Sequence, residues 1–315
     1  MKRFKNILFV AEAGANDPAV FDQAVTLAND NQARLTVIGI VEDSGTRTSA
    51  ELREAMVEDR LEALRAFVQA NAAAGDEVET KVLIGKPFME VIREVIRFRR
   101  DLVVKSIGVA HSVGQQLFGG TDKKLLRKCP CPVWLIKSTK QQGYREILVA
   151  LDYEPENPES DPLNRRLLDM AGSIALSEFC ELHVVHAWQL EHESFLRSPR
   201  TDLTREEVDE LVRKEAQTRE HWIARLVHES FQPSGRETEE YLQPKVHLLQ
   251  GRAEDVVPQC AGEIGAELVV MGTVARTGIP GFIIGNTAES ILSQLECSVL
   301  AIKPAGFVTP LALDE

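Results

Sequence analysis

Glu146-Ile147-Leu148-Val149-Ala150-Leu151-Asp152 repeats the character of a stretch near the start of the chain, Asn6-Ile7-Leu8-Phe9-Val10-Ala11-Glu12. Each is a nearly continuous apolar run that closes on a carboxylate. Such a run reads as a strand buried on both faces of a parallel sheet, with a polar residue at its carboxyl end. A second apolar run follows each one, at 35–41 and at 182–188. Between the two runs lie apolar residues at helical spacing: Phe21, Ala24, Val25 and Ala28 in the first half, and Leu167, Leu168, Met170 and Ala171 in the second. Strand, helix, strand is a βαβ unit, whose crossover is right-handed.

The pattern continues in step. Long polar-rich helices are predicted over 50–71 and 204–231, the second capped by Thr201 or Thr204 with Glu206 and Glu207 in its first turn. Third strands are expected at 78–84 and 245–249, each followed by a glycine, Gly85 and Gly251, and then by another helix. Fourth strands follow at 102–105 and 268–271, and fifth strands at 133–136 and 299–302. Gly85 to Ser106 and Gly251 to Gly272 are both 21 residues; Ser106 to Gly119 and Gly272 to Gly285 are both 13; Gly119 to Val133 and Gly285 to Val299 are both 14. Three matching intervals mark a duplication. The second half is longer only upstream of Gly251, where surface loops tolerate insertion.

The class is therefore α/β: two tandem Rossmann-like domains, each an open five-stranded parallel sheet with helices on both faces, over 1–139 and 145–305. The length of 315 residues suits two domains. A net charge of -12 without a dense basic run argues against nucleic acid as a partner. No apolar stretch reaches membrane-spanning length, and the start does not read as a signal peptide. Five cysteines without framework spacing fit a reducing compartment, and a cytoplasmic location is expected.

Ligands of such sheets bind beyond the carboxyl ends of the strands. After the fourth strand of the second half the chain reads Met271-Gly272-Thr273-Val274-Ala275-Arg276-Thr277-Gly278, continues through Phe282-Ile283-Ile284, and enters a helix at Gly285-Asn286-Thr287. Glycines let a phosphate approach the backbone, and a helix start presents free N–H groups to an anion. A plain strand–loop–helix connection accounts for the same local pattern equally well.

This segment resembles the signature loop of the universal stress protein family: glycine, two residues, glycine, nine residues, glycine, then a small hydroxyl residue and a helix. Gly272 and Gly285 take the first and third glycine places, Ala275 replaces the middle one, and Asn286 replaces the hydroxyl residue. Cys129-Pro130-Cys131-Pro132-Val133 is similar to the family's entry into the last strand. The likeness covers both halves and is closest to the tandem, UspE-like type. It implies adenine-nucleotide alpha hydrolase-like domains forming an internal pseudo-dimer, with further homodimerisation left open. It also implies a stress-response module binding ATP or AMP, with Mg²⁺ as a companion ion, in the second half. Asp152 would contact adenine or ribose, Ala187 would line the adenine pocket, and Gly272, Ala275, Arg276, Gly285, Asn286 and Thr287 would hold the phosphates. The first half departs further. Ser106 and Val109 stand where glycines are expected and Glu12 replaces the aspartate, while Gly119-Gly120-Thr121 keeps the helix entry.

Two alternatives belong to other classes. One is an interaction or carrier protein whose apolar loop residues Ile279, Phe282, Ile283 and Ile284 take a lipid-like ligand or a protein partner. The other is a slow ATPase. No set of nucleophile, base and orienting residue assembles, so no catalytic residue is assigned. No metal is expected either: Cys129 and Cys131 read as packing, and His183 and His186, three apart on one strand, face opposite sides.

Overall fold

The computed structural model describes residues 4–12, 17–42, 49–73, 76–107, 118–138, 143–153, 162–231, 241–273 and 285–311. The chain forms two compact units, Met1–Gln142 with Thr273–Gly285 and Glu296–Glu315, and Gly143–Gly272 with Asn286–Leu295.

The first unit contains β1 (Asn6–Ala11), α1 (Pro18–Asn31), β2 (Arg34–Val41), α2 (Ala50–Asn71), β3 (Val78–Ile84), α3 (Pro87–Phe98), β4 (Leu102–Ile107), α4 (Gly120–Lys128) and β5 (Val133–Lys137). These strands lie in the order β3-β2-β1-β4-β5, all parallel, with Ile7 opposite both Leu35 and Leu102. Ile7, Leu8 and Phe9 are fully buried, as both-sided helix cover demands, and Phe9 meets the Phe21 ring of α1 edge-on at 5.4 Å.

The second unit repeats the plan with β6 (Glu146–Leu151), α5 (Pro162–Glu178), β7 (Glu181–Trp188), the short α6 (Glu193–Leu196), α7 (Arg205–Phe231), β8 (Lys245–Gln250), α8 (Ala253–Ile264), β9 (Leu268–Gly272) and α9 (Asn286–Gln294). Its order is β9-β6-β7-β8, again parallel, with Ile147 opposite Leu182 and Leu268. β1 and β6 are each flanked by one earlier-crossing and one later-crossing strand, so the order reverses beside them and a crevice opens beyond their carboxyl ends.

Three details go beyond the sequence-based expectations. β10 (Ser298–Ile302) runs antiparallel on β5, Leu300 opposite Trp134, and packs with the first unit; this covers an apolar edge strand that would otherwise expose its unpaired backbone groups. β4 does not stop at Lys105 but continues to Ile107, with Lys105 buried inside it. Thr204, not Thr201, caps α7: the Glu207 amide donates to its hydroxyl at 3.2 Å and the Thr204 amide donates to the Glu207 carboxylate at 2.8 Å.

Two of the glycines that mark the repeat are required by geometry. Gly85 and Gly251 take φ of +145° and +154°, and a Cβ at Gly251 would stand 2.5 Å from a Val256 methyl. Among the described residues, no helix is long and apolar enough to cross a membrane.

Candidate functional site

In the second unit the carboxyl end of β6 is built around a buried amide. Asn164 of α5, fully buried, receives the Asp152 amide on its side-chain oxygen at 3.2 Å and donates its side-chain nitrogen to the Asp152 carbonyl at 2.5 Å. Both backbone groups of Asp152 are thus held by one side chain, and the Asp152 residue stands exposed at the strand end. Beside it is an aromatic cluster. The rings of Tyr153 and Trp222 lie edge-to-face at 5.1 Å, and Trp222 meets His186 at 5.0 Å. His186 Nδ1 is 3.1 Å from the Leu151 carbonyl. Arg219 lies 3.7 Å over the Tyr153 ring and is tethered one turn back to Glu215 at 2.8 Å. Arg219, Trp222, Ile223 and Leu226 share one helix face by spacing, so α7 presents a cation and an indole to the same strand end while anchoring itself in the core.

The predicted site residues distribute as follows. Ala187 is half-buried near the carboxyl end of β7, opposite Leu249. Gly272 is the last residue of β9, and Asn286 and Thr287 are exposed in the first turn of α9. Asp152, Ala187, Gly272, Asn286 and Thr287 all belong to the second unit. Gly285 belongs to the first, where its amide donates to the Thr273 carbonyl at 3.2 Å and so is engaged by backbone. Ala275 and Arg276 lie outside the described residues, as do the apolar loop residues 279–284 and His111.

The corresponding place in the first unit is filled by the chain itself. Lys105 Nζ sits 2.6 Å from Glu12 and 2.8 Å from Asp122, with Lys105 and Asp122 both buried. Burial pulls the Lys105 ammonium down, but Asp122 and Glu12 together outweigh it and raise its pKa. Asp122 also accepts the Gly119 amide at 2.8 Å, so a carboxylate already stands at the start of α4, where a ligand anion would bind. Arg60 crosses Gly39 and donates to the Ala11 carbonyl at 2.8 Å, the same strand-end carbonyl position that His186 meets in the second unit. The intervals that define the repeat place Met271 and Ala288 where the first half has Lys105 and Asp122. The plug is therefore specific to the first half.

Sequence reading missed Asn164, Tyr153, Arg219 and Lys105. Asn164 left no signal, because only the fold brings it to Asp152. Lys105 did leave one, a lone cation after Leu102-Val103-Val104, and it reads as a strand end unless two carboxylates are known to be waiting. Thiol chemistry has no support in the described residues. Cys129 and Cys131, 3.6 Å apart at sulfur, are both buried, and burial pushes the Cys131 thiol well above its ordinary range. A separate groove of about 530 Å³ in the first unit, lined by Val95, Ile96, Cys131 and Phe307, lies apart from these strand ends.

The family model described as Universal stress protein family matches residues 3–137 and again 143–303. Universal stress protein E of Escherichia coli (strain K12) is 30% identical over 328 aligned positions, spanning 100% of this chain and 99% of its own length. The protein of the same name from Salmonella typhi is 29% identical, with the same coverage. Among solved structures, a putative universal stress protein from Pseudomonas aeruginosa UCBPP-PA14 is 26% identical and superposes with a TM-score of 0.64, covering 96% of this chain and 94% of its own. One from Archaeoglobus fulgidus DSM 4304, at 17% identity and a TM-score of 0.66, shares the fold. Two matched copies that between them span nearly the whole chain, and relatives matched end to end, place this chain in the universal stress protein family, as a member carrying two tandem copies of the domain.

Proposed function

We propose that the chain is a cytoplasmic stress-response protein of two tandem domains, 1–139 and 145–305, in which only the second binds an adenine nucleotide. The observation that carries this reading is the contrast between equivalent strand ends. In the first unit Lys105, Asp122 and Arg60 supply the cation, the anion and the carbonyl partner that a ligand would bring. In the second, Met271 and Ala288 replace the ion pair and Asp152 stands exposed beside aromatic surface. The adenine would lie against Ala187 and His186, ribose hydroxyls would donate to the Asp152 carboxylate, and phosphates would approach Gly272 and the first turn of α9, where Asn286 and Thr287 add polar side chains. Mg²⁺ would accompany the phosphates of ATP. Hydrogen bonds to a charged group contribute about 1.5–3 kcal/mol, so Asp152 sets much of the affinity.

Calorimetric titration of the full chain with ATP, ADP and AMP tests this. Binding is expected, weakened at least about tenfold by Asp152→Ala. Absence of heat at millimolar nucleotide would overturn it. Phosphate release equal in the native protein and Asp152→Ala would separate binding from a slow ATPase.

A further inference from the structure

At the opposite end of the second unit's sheet, a group of ligating side chains converges across three strands. Glu146 opens β6, Glu181 opens β7 directly opposite it, and His183 follows two residues on, opposite Lys245 of β8. His183 is buried, with Nε2 2.8 Å from a Glu146 carboxylate oxygen and 3.7 Å from one of Glu181. One ligand atom from each of the three residues lies within 4.8 Å of the other two. The other ring nitrogen, Nδ1, is 2.8 Å from His247 Nε2, the two rings being nearly coplanar at 8°. Six strand residues at about 3.3 Å each put this group some 20 Å from Asp152.

We propose that Glu146, Glu181 and His183 form a binding site for a divalent transition metal of the Zn²⁺ class. Ligand atoms about 2.1 Å from a tetrahedral ion are about 3.4 Å from one another, and the observed 2.8 and 3.7 Å bracket that value. One imidazole with two carboxylates suits zinc, cobalt or manganese, and two carboxylates cancel the charge of a divalent ion. His247 serves as the outer partner. When His183 donates Nδ1–H to His247, its Nε2 lone pair faces the carboxylates and is available to a cation. Glu181 is exposed, giving the ion an entry path and leaving the fourth position to water. The charge is at present supplied by Lys245, whose ammonium pairs with Glu181; an exposed lysine is easily displaced and competes with the metal. His183 finds its partners on neighbouring strands, not in His186 of its own strand.

The test is calorimetric titration of the full chain with ZnCl₂, paired with absorption of the CoCl₂-loaded protein. One equivalent is expected to bind, with cobalt d–d bands and no thiolate charge-transfer band. Glu181→Gln, at an exposed position, should weaken binding by at least about tenfold. His183→Gln should abolish it, and Lys245→Gln should tighten it by removing the competing cation. No binding, a thiolate band, or an affinity unchanged in both Glu181→Gln and Lys245→Gln would overturn the proposal. None of these outcomes depends on the nucleotide, so the two readings stand or fall separately.

Discussion

Lys105 and Asp122, 2.8 Å apart and both buried, are the ion pair by which the first half closes its own strand-end crevice. Breaking such a pair from one side leaves an uncompensated buried charge, which costs about 3–5 kcal/mol. Lys105→Met, which leaves the buried Asp122 carboxylate without its cation, is therefore expected to destabilise the protein by that amount, while Lys105→Met with Asp122→Ala, the residues the second half carries, recovers most of it. Urea denaturation of the two variants checks this. Equal loss in the single and double variants would show that the ion pair is not what matters.

Asn164 holds both backbone groups of Asp152. Asn164→Ala leaves the part-buried amide and carbonyl of Asp152 without this partner, a cost of about 1 kcal/mol, at the low end for an unsatisfied group. It should also lower nucleotide affinity, although Asn164 itself is fully buried. Denaturation and nucleotide titration of the same variant read the two effects. Loss of stability with unchanged affinity would mean that the Asp152 backbone needs no such orientation.

The layout was legible in the sequence because parallel strands buried on both faces read as apolar runs, and equal spacings from Gly85 and Gly251 onward leave little freedom in how they are arranged. The carboxyl-end placement of Asp152, Ala187 and Gly272 followed from that alone. The closed state of the first half was not legible. Lys105, Glu12 and Asp122 are far apart in the chain and each has a separate local reading, as the end of the fourth strand, the carboxylate that closes the first strand and a residue of a helix's first turn. The same holds for Glu146, Glu181, His183 and His247, whose meeting depends on strand register. Interactions between strands carry no periodicity for a sequence to display.

Lys303 provides a pH prediction. Its ammonium is buried, donates to the Leu126 carbonyl and the Thr273 hydroxyl, and has its pKa lowered by burial from 10.5 to about 7. Below about 7 both folded and unfolded chains hold the proton and this group adds no slope. Between about 7 and 10.5 the unfolded chain binds the proton and the folded chain does not, so stability rises with pH. Denaturation between pH 7 and about 7.5, a full unit below the ordinary thiol pKa of about 8.5, should show that rise, and Lys303→Met should flatten it. An unchanged slope in the variant would assign the rise elsewhere.

Arg219 covers Tyr153 at 3.7 Å beside the proposed adenine surface. Arg219→Ala removes a cation–π contact of about 0.5–1 kcal/mol and its packing. A small loss of stability with a several-fold change in nucleotide affinity is expected by titration. No change in affinity would place the base away from Tyr153.

Counting nucleotides per chain by equilibrium dialysis against labelled ATP bears most directly on the asymmetry of the halves. One nucleotide per chain, lost in Asp152→Ala and retained in Glu12→Gln, is the expected result. Two per chain, or one that survives Asp152→Ala and disappears in Glu12→Gln, would contradict it.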